Sequence, residues 1–546
     1  MTRLWPFSLI PLMLLLLGSN APTDPPTDAK GTRALKREFR AVWVATFHNI
    51  DWPKSKGMNT AAQKREFLAL LKRQKANGMN AVVVQVRPSG DALYPSRLAP
   101  WSEYLTGIQG KPPSYDPLAF MIEAAHEENM EFHAWFNPFR AISHVSFSSV
   151  APYNIAKKRP DWTFKYGQRI YLNPGKPQVR KYLTNVIAEV VNKYDIDGIH
   201  FDDYFYPYPK DGEVLDDSKT FLQYREAGQD VHAWRRSNID AFISSVSDTI
   251  RKNKPHVKFG ISPVGVWRNA RQDARGPRVR STFSSYDVLH ADVRKWLEKG
   301  WIDYVAPQLY FNMNHPTADY SVLVPWWARN SFGKHVYIGQ AMFKVKDPQS
   351  ASWRDPFELP RQLKFNLRYP QVKGSIFYSA SSFNGNPHSV ESVLRRDRYK
   401  YPALVPSMSW KDSIPPLAPQ SLKGKNFDDG TIGLTWDAPE PAEDGQQAHY
   451  YVIYRFGKEE AIDMEAPAYI LGITRKTHFI DANPRPETDY TYVVTAVDRL
   501  HNESKSVAAA FLSSHTKPPV TAPIERTRTV DSDVGSFKKT VPYYKQ

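Results

Sequence analysis

Between Glu38 and Lys400 a short apolar run gives way eight times to a stretch with helical spacing, and no other feature of the sequence restricts the fold so strongly. The first run, RAVWVAT at Arg40–Thr46, precedes a helical stretch over Thr60–Asn77. There Phe67, Leu68, Leu70 and Leu71 share one face and Gly78 ends the helix. NAVVVQVRP and EFHAWFNPFR repeat the pattern, each followed by an amphipathic stretch. DGIHFDD leads to a helix predicted over Ser237–Asn253, and VKFGISP to one over Val288–Glu298. DYVAPQLY, VYIGQAM and KGSIFYSAS supply the last three strands. Strands that are apolar on both faces suit a parallel sheet covered on both sides. Eight right-handed crossovers close such a sheet into a (β/α)8 TIM barrel, expected over residues 38–400. An open doubly wound sheet is the competing reading, but no Gly-rich phosphate loop follows the first strand.

The segments outside the barrel are different in kind. Residues 1–21 carry a basic start at Arg3 and an apolar run, Leu4–Leu17, too short to span a bilayer comfortably, followed by small residues. This reads as a secretion signal, with a Pro-rich tether at 22–37, and implies an exported protein, periplasmic or extracellular and associated with the cell envelope. Ser19 stands where a lipoprotein would need a lipidated Cys, and the chain contains no Cys at all. No later segment is long and apolar enough to cross a membrane. After a Pro-rich linker at 401–416, the runs GLTW, YYVIYRF and YTYVVTAVDRLHNES alternate as sandwich strands do. With Trp436 early and Tyr490 and Tyr492 late, residues 417–517 resemble an all-β fibronectin type III domain. Residues 518–546 read as a disordered tail.

The formal charge of +16 fits an anionic partner or a solvated basic surface equally well. No zinc-finger or RNA-recognition signature accompanies it, so nucleic acid is not expected as a partner. Oligomeric state is not legible.

Active sites of such barrels lie at the C-terminal ends of the strands. Those ends carry Thr46, His48, Asp51 and Trp52 on the first strand, and Gln85 and Arg87 on the second. His133, Trp135, Asn137 and Arg140 come from the third, and His200, Asp202, Asp203 and Tyr204 from the fourth. Ser262, Trp267, Arg268, Gln308, Tyr310, Gln340 and Tyr378 come from the rest. Polar groups repeated among rings suit a carbohydrate cleft, because rings stack on sugar faces and amides bind hydroxyls. Arg87, Trp135, Asn137, Arg140, His200, Tyr204, Trp267, Gln308 and Tyr310 are the expected substrate-binding set. His133 fits a hydrogen-bonded core position as well as a cleft position. Asp202 is expected to project from the strand end into an open, ring-lined trough. Strand alternation would turn Asp203 to the opposite face unless the strand breaks there.

FRAVWVATFHNIDWP, NAVVVQVRPSGDALYPS, PWSEYLTG, DGIHFDDYFYP, GISPVGVWRN and DYVAPQLYF together resemble the glycosyl hydrolase-like 10 family, over nearly all of the barrel. The resemblance implies a (β/α)8 fold, export and hydrolysis of cell-wall glycan strands. For one branch of the family it implies peptidoglycan whose stem peptides have been removed. The fibronectin-like domain departs from the simplest members.

Glycoside hydrolysis ordinarily uses a proton donor and a second carboxylate. DGIHFD is similar to the fourth-strand motif of several barrel glycosidases, whose closing Asp is the nucleophile; that position is Asp202. No acid ends the fifth strand, where the donor of those enzymes often stands. Adjacent Asp pairs also occur in hexosaminidases that use the substrate's own 2-acetamido group, and on that pattern Asp202 orients the acetamide and Asp203 is the acid. The second reading takes a loop acid, Glu103, with Asp292 behind it. Two other classes stay open: a non-catalytic glycan-binding barrel, and a metal-dependent polysaccharide hydrolase or deacetylase using His200, Asp202 and Asp203. One strand aims neighbours apart, so a metal set is not expected, nor is any cofactor.

Overall fold

The computed structural model describes residues 34–143, 149–506 and 508–513. The predicted signal at 1–21, most of the tether and the tail at 518–546 lie outside the described residues. Eight parallel strands close into a barrel: β1 (Phe39–Val44), β2 (Ala81–Arg87), β3 (Glu131–Phe136), β4 (Gly198–Phe201), β5 (Lys258–Ile261), β6 (Tyr304–Val305), β7 (His335–Gln340) and β8 (Val372–Phe377). They pair in sequence order, and β1 closes on β8. Every residue of β1 to β7 is buried, as a sheet packed on both faces requires.

The crossovers carry α1 (Thr60–Ala76), α2 (Pro117–Glu127), α3 (Pro177–Lys193), α4 (Val231–Asn253), α5 (Val293–Glu298), α6 (Tyr320–Arg329), α7 (Glu358–Asn366) and α8 (Val390–Val393). Two starts differ from expectation, and a capping carboxylate explains each. Asp230 accepts from the His232 and Ala233 amides at 2.9 and 3.0 Å, which starts α4 ahead of Ser237. Asp292 accepts from Lys295 N and starts α5 well after Val288. Between β3 and α3 the strands Arg140–Ile142, Thr163–Tyr166 and Arg169–Leu172 form a small antiparallel sheet that periodicity did not announce.

The barrel interior is aromatic and polar together. Phe39 stacks on Tyr337 with centroids 4.1 Å apart, and the Tyr304 ring lies beside both. Large rings fit because glycines face them: a Cβ on Gly260 would sit 2.0 Å from Tyr304 Cζ, and one on Gly198 2.6 Å from His133 Nδ1.

A single chain of hydrogen bonds runs along this interior. His133 Nε2 meets Glu131 Oε2 at 3.0 Å, and His133 Nδ1 meets the Tyr304 hydroxyl at 2.8 Å. The same hydroxyl meets His200 Nδ1 at 2.9 Å, and His200 Nε2 meets Trp43 Nε1 at 3.1 Å and Ser262 Oγ at 3.0 Å. An indole N–H only donates, so His200 Nε2 accepts and its proton sits on Nδ1. Burial holds the His200 pKa well below its ordinary value, which keeps the ring neutral. His200 therefore donates to Tyr304, Tyr304 donates to His133 Nδ1, and His133 donates to Glu131. His133 is a core residue.

The C-terminal unit is an antiparallel sandwich. One sheet holds β9 (Gln420–Asn426), β10 (Ile432–Asp437) and β13 (His478–Asp481). The other holds β11 (Tyr450–Gly457), β12 (Ile470–Thr474), β14 (Asp489–Val497) and β15 (Ala508–Ser513). Trp436, Tyr451, Tyr490 and Tyr492 fill its core. The Tyr490 hydroxyl accepts from Arg485 N at 3.0 Å, and that of Tyr492 donates to Asp481 at 2.7 Å.

The sandwich docks on the N-terminal end of the barrel. His501 Nε2 reaches Glu131 Oε1 at 2.5 Å, and Lys258 pairs with the same oxygen. Burial alone would raise the Glu131 pKa, but Lys258 and His501 hold it well below the usual carboxylate range. The site end of the barrel is thus left open.

Candidate functional site

The β4 ladder ends at Phe201, so Asp202 and Asp203 are both past the last paired residue. That break frees them from strand alternation and lets both belong to one site. Asp202 Oδ2 accepts from Trp135 Nε1 at 3.2 Å and from the Asn137 amide, and Oδ1 accepts from Tyr204 N at 3.3 Å. The Asn137 amide is itself oriented: Gln85 Nε2 donates to Asn137 Oδ1 at 2.5 Å, while Gln85 Oε1 accepts from Thr46 N and Phe47 N. Asp203 Oδ2 accepts from the Tyr208 hydroxyl, and Oδ1 has no hydrogen-bond partner among the described residues. The Gln308 amide lies near enough to favour its charged form.

Desolvation is the largest influence on both acids. It pushes Asp202 to about 7, with Arg140 opposing and the neighbouring Asp203 charge adding to the rise. It pushes Asp203 to about 6, with the Tyr208 hydrogen bond and Arg140 opposing. Two carboxyls this close titrate as one unit.

Above the pair lies a cavity of about 580 Å³ walled by Phe47, Trp135, Arg140, Tyr166, Tyr171, Tyr204, Tyr208 and Tyr378, with Gln85 and the segment Gly167–Arg169. Asp202 is 4 % exposed and Asp203 1 %. The expectation of an open, projecting Asp202 is therefore corrected: three protein donors hold it down, and two of the donor residues, Trp135 and Tyr204, form the cavity wall above it. Of the expected substrate-binding set, Trp135, Arg140 and Tyr204 line the cavity. Asn137 lies below it, and Gln308 and Tyr310 stand beside the acids.

Four expected site residues lie elsewhere. Arg87 is buried and donates to the carbonyls of Asn137 and Pro138 at 3.1 and 2.9 Å, bracing the loop after β3 rather than neutralising the acids. His200 is inside the barrel, with both ring nitrogens engaged. Trp267 is 1 % exposed, donates to Asp292 Oδ1 at 3.0 Å and stacks on Trp326, so its ring is core. Glu103 opens a short helix, pairs with Lys56 and does not line the cavity. Asp292, the reserve acid, is the cap of α5. Asp51 accepts from Ala45 N, Ser379 Oγ and Ser381 N, tying β1 to the end of β8. With both His200 nitrogens used, it brings no free ligand to a metal, and no cluster of three or more metal-binding side chains occurs among the described residues.

Residues that the strand-end reading missed include Phe47, Tyr171, Tyr208, Arg169 and Lys210. Tyr208 carried a signal, the aromatic run YFYPYP after the acids. Arg169 and Tyr171 carried none, because they reach the cavity from the small antiparallel sheet.

The sequence profile described as glycosyl hydrolase-like 10 matches residues 38–355. The chain is 44 % identical over 479 residues to "Glycosyl hydrolase YngK" of Bacillus subtilis, covering 86 % of this chain and 92 % of that protein. It is 36 % identical over 419 residues to "Glycosyl hydrolase DigH" of Escherichia coli K12, covering 71 % and 95 %. The solved PgaB glycoside hydrolase domain from Bordetella bronchiseptica aligns over 66 % of this chain and 99 % of that chain, at 15 % identity and a TM-score of 0.42.

Proposed function

This chain belongs to the glycosyl hydrolase-like 10 family, and on that footing we propose that it cleaves cell-wall glycan strands, namely peptidoglycan freed of its stem peptides, at the Asp202–Asp203 pair. The observation that carries the reading is the unequal environment of the two acids. Asp202 has three donors on its two oxygens, which suits a carboxylate that stays in place and steers a substrate N–H. Asp203 keeps Oδ1 without a hydrogen-bond partner among the described residues, which suits a carboxyl that gives up and recovers a proton.

In the proposed reaction Asp203 protonates the glycosidic oxygen as the C1–O bond breaks. The carbonyl oxygen of the substrate's own 2-acetamido group closes on C1, its N–H held by Asp202. Water then opens that ring at C1 and returns its proton to Asp203. Burial raises Asp202 to about 7 and Asp203 to about 6, so the pair keeps a proton near neutrality. The acetamido N–H arriving at Asp202 favours the charged form of that carboxyl and leaves the proton to Asp203. Tyr208 covers Asp203 from the cavity side, so turnover includes its displacement. The substrate lies outside the cytoplasm, in keeping with the secretion signal expected at 1–21.

Mass spectrometry of fragments released from purified strands, with and without attached peptides, tests the reading. Cleavage confined to peptide-bearing strands overturns the substrate. Turnover that survives Asp203→Asn overturns the assignment of the acid. Binding of strands without any product, by the unaltered protein, would instead favour a glycan-binding barrel.

A further inference from the structure

The cavity wall holds more positive charge than the acid pair needs. Arg140 is only 9 % exposed, its Nε has no acceptor among the described residues, and its guanidinium lies 3.8 Å from the Tyr204 ring centroid. Arg169 approaches the same aromatic side chain as Arg140 does: the two guanidiniums stand 5.9 and 5.4 Å from the Phe47 centroid. Among the described residues Arg169 makes no ion pair. Lys210 completes the edge. Its amide donates to Tyr166 at 2.9 Å, and its ammonium lies across Gly167, where a Cβ would sit 3.4 Å away. The local field is felt at His48, whose pKa falls through burial first and then through Lys56, Arg169 and Arg140. Asp202 and Asp203 act on Arg140, and a Glu213 carboxylate oxygen lies near Lys210, but Arg169 has neither. Two guanidiniums gathered around one ring repel unless an anion arrives.

Resting on the function proposed above, we infer that Arg140, Arg169 and Lys210 form a subsite for a carboxylate carried by the sugar, and that the preferred strands are those whose lactyl ether ends in a free acid. Hydrolysis of the amide between that lactyl group and a stem peptide creates such a carboxylate, so the subsite recognises a strand by what peptide removal leaves behind. A planar guanidinium matches a carboxylate with two parallel N–H bonds. A peptide amide in its place has no charge for the site to hold.

The test uses the full chain and three substrates: peptide-free muramic-acid strands, the same strands with their carboxyls reduced to alcohols, and neutral chitin oligosaccharides. The unaltered protein is expected to show kcat/KM at least about tenfold higher on the acidic strands than on the reduced ones, mostly through KM, with the difference shrinking at high salt. Arg169→Gln is expected to lower that ratio about three- to tenfold. Lys210→Gln lowers it less, and because that side chain is exposed the variant guards against a folding defect. Equal rates on acidic and reduced strands, or a ratio that Arg169→Gln leaves intact, overturn the subsite while leaving the hydrolase reading standing. If no substrate is cut, the hydrolase reading falls and calorimetric binding decides the subsite alone. Equal affinity for acidic and reduced strands would then overturn it as well.

Discussion

Replacing Tyr304 by Phe removes one oxygen from the barrel axis and leaves the ring in place. The consequences follow from the proton order along the interior chain. His200 loses the acceptor of its Nδ1–H, at 2.9 Å, and His133 Nδ1 loses its donor, at 2.8 Å. Both histidines are fully buried, so no water replaces the hydroxyl. Each orphaned polar group costs about 1–3 kcal/mol, giving a loss of about 2–6 kcal/mol in all. Tyr337→Phe is the matched control, since among the described residues the Tyr337 hydroxyl hydrogen-bonds His335 Nδ1 alone, at 3.0 Å, and its loss should cost about half as much. Urea unfolding of the full chain, followed by near-ultraviolet circular dichroism to report the aromatic interior, measures the difference. A loss below about 1 kcal/mol, or one no larger than that of Tyr337→Phe, would show that the hydroxyl does not bridge the two rings.

Glu131→Gln leaves Lys258 buried without its counter-charge at the joint between barrel and sandwich. A destabilisation of about 3–5 kcal/mol is expected in the same assay, with His501→Ala costing less. Trp267→Phe withdraws one donor from Asp292 and should cost about 1 kcal/mol in unfolding with KM unchanged; a raised KM would return Trp267 to the substrate site. The rate should fall about tenfold per pH unit above pH 7, as the pair raised to about 7 and 6 by burial loses its last proton. For stability the same elevation has a definite sign. The folded pair holds protons more tightly than the unfolded chain does, so its contribution is full below about pH 4 and is lost as pH rises through 6 to 7. Asp202→Asn should accordingly raise the unfolding midpoint more at pH 8 than at pH 5, and the reverse order would refute the shift.

The eightfold alternation of apolar runs and helical faces specified a closed parallel barrel because burial on both faces is a local property, visible one strand at a time. The carboxylates after Phe201 were legible in the same way, as were Trp135, Asn137, Arg140 and Tyr204 at their strand ends, but the break that brings Asp203 to the side of Asp202 was not. Arg87, Trp267 and His200 were misplaced because position at a strand end does not say which way a side chain turns. A kinked strand end sends Arg87 under a loop, a partner in Asp292 draws Trp267 into the core, and a glycine-lined interior takes His200. Arg169 comes beside Arg140 only because a hairpin folds back to the cavity. The depth of Asp202 likewise depends on Trp135 and Asn137 at the end of β3, far from it in sequence. Hydrophobic periodicity is written along the chain, whereas the burial and charge around an acid are set by residues distant in sequence, and only folding brings those together.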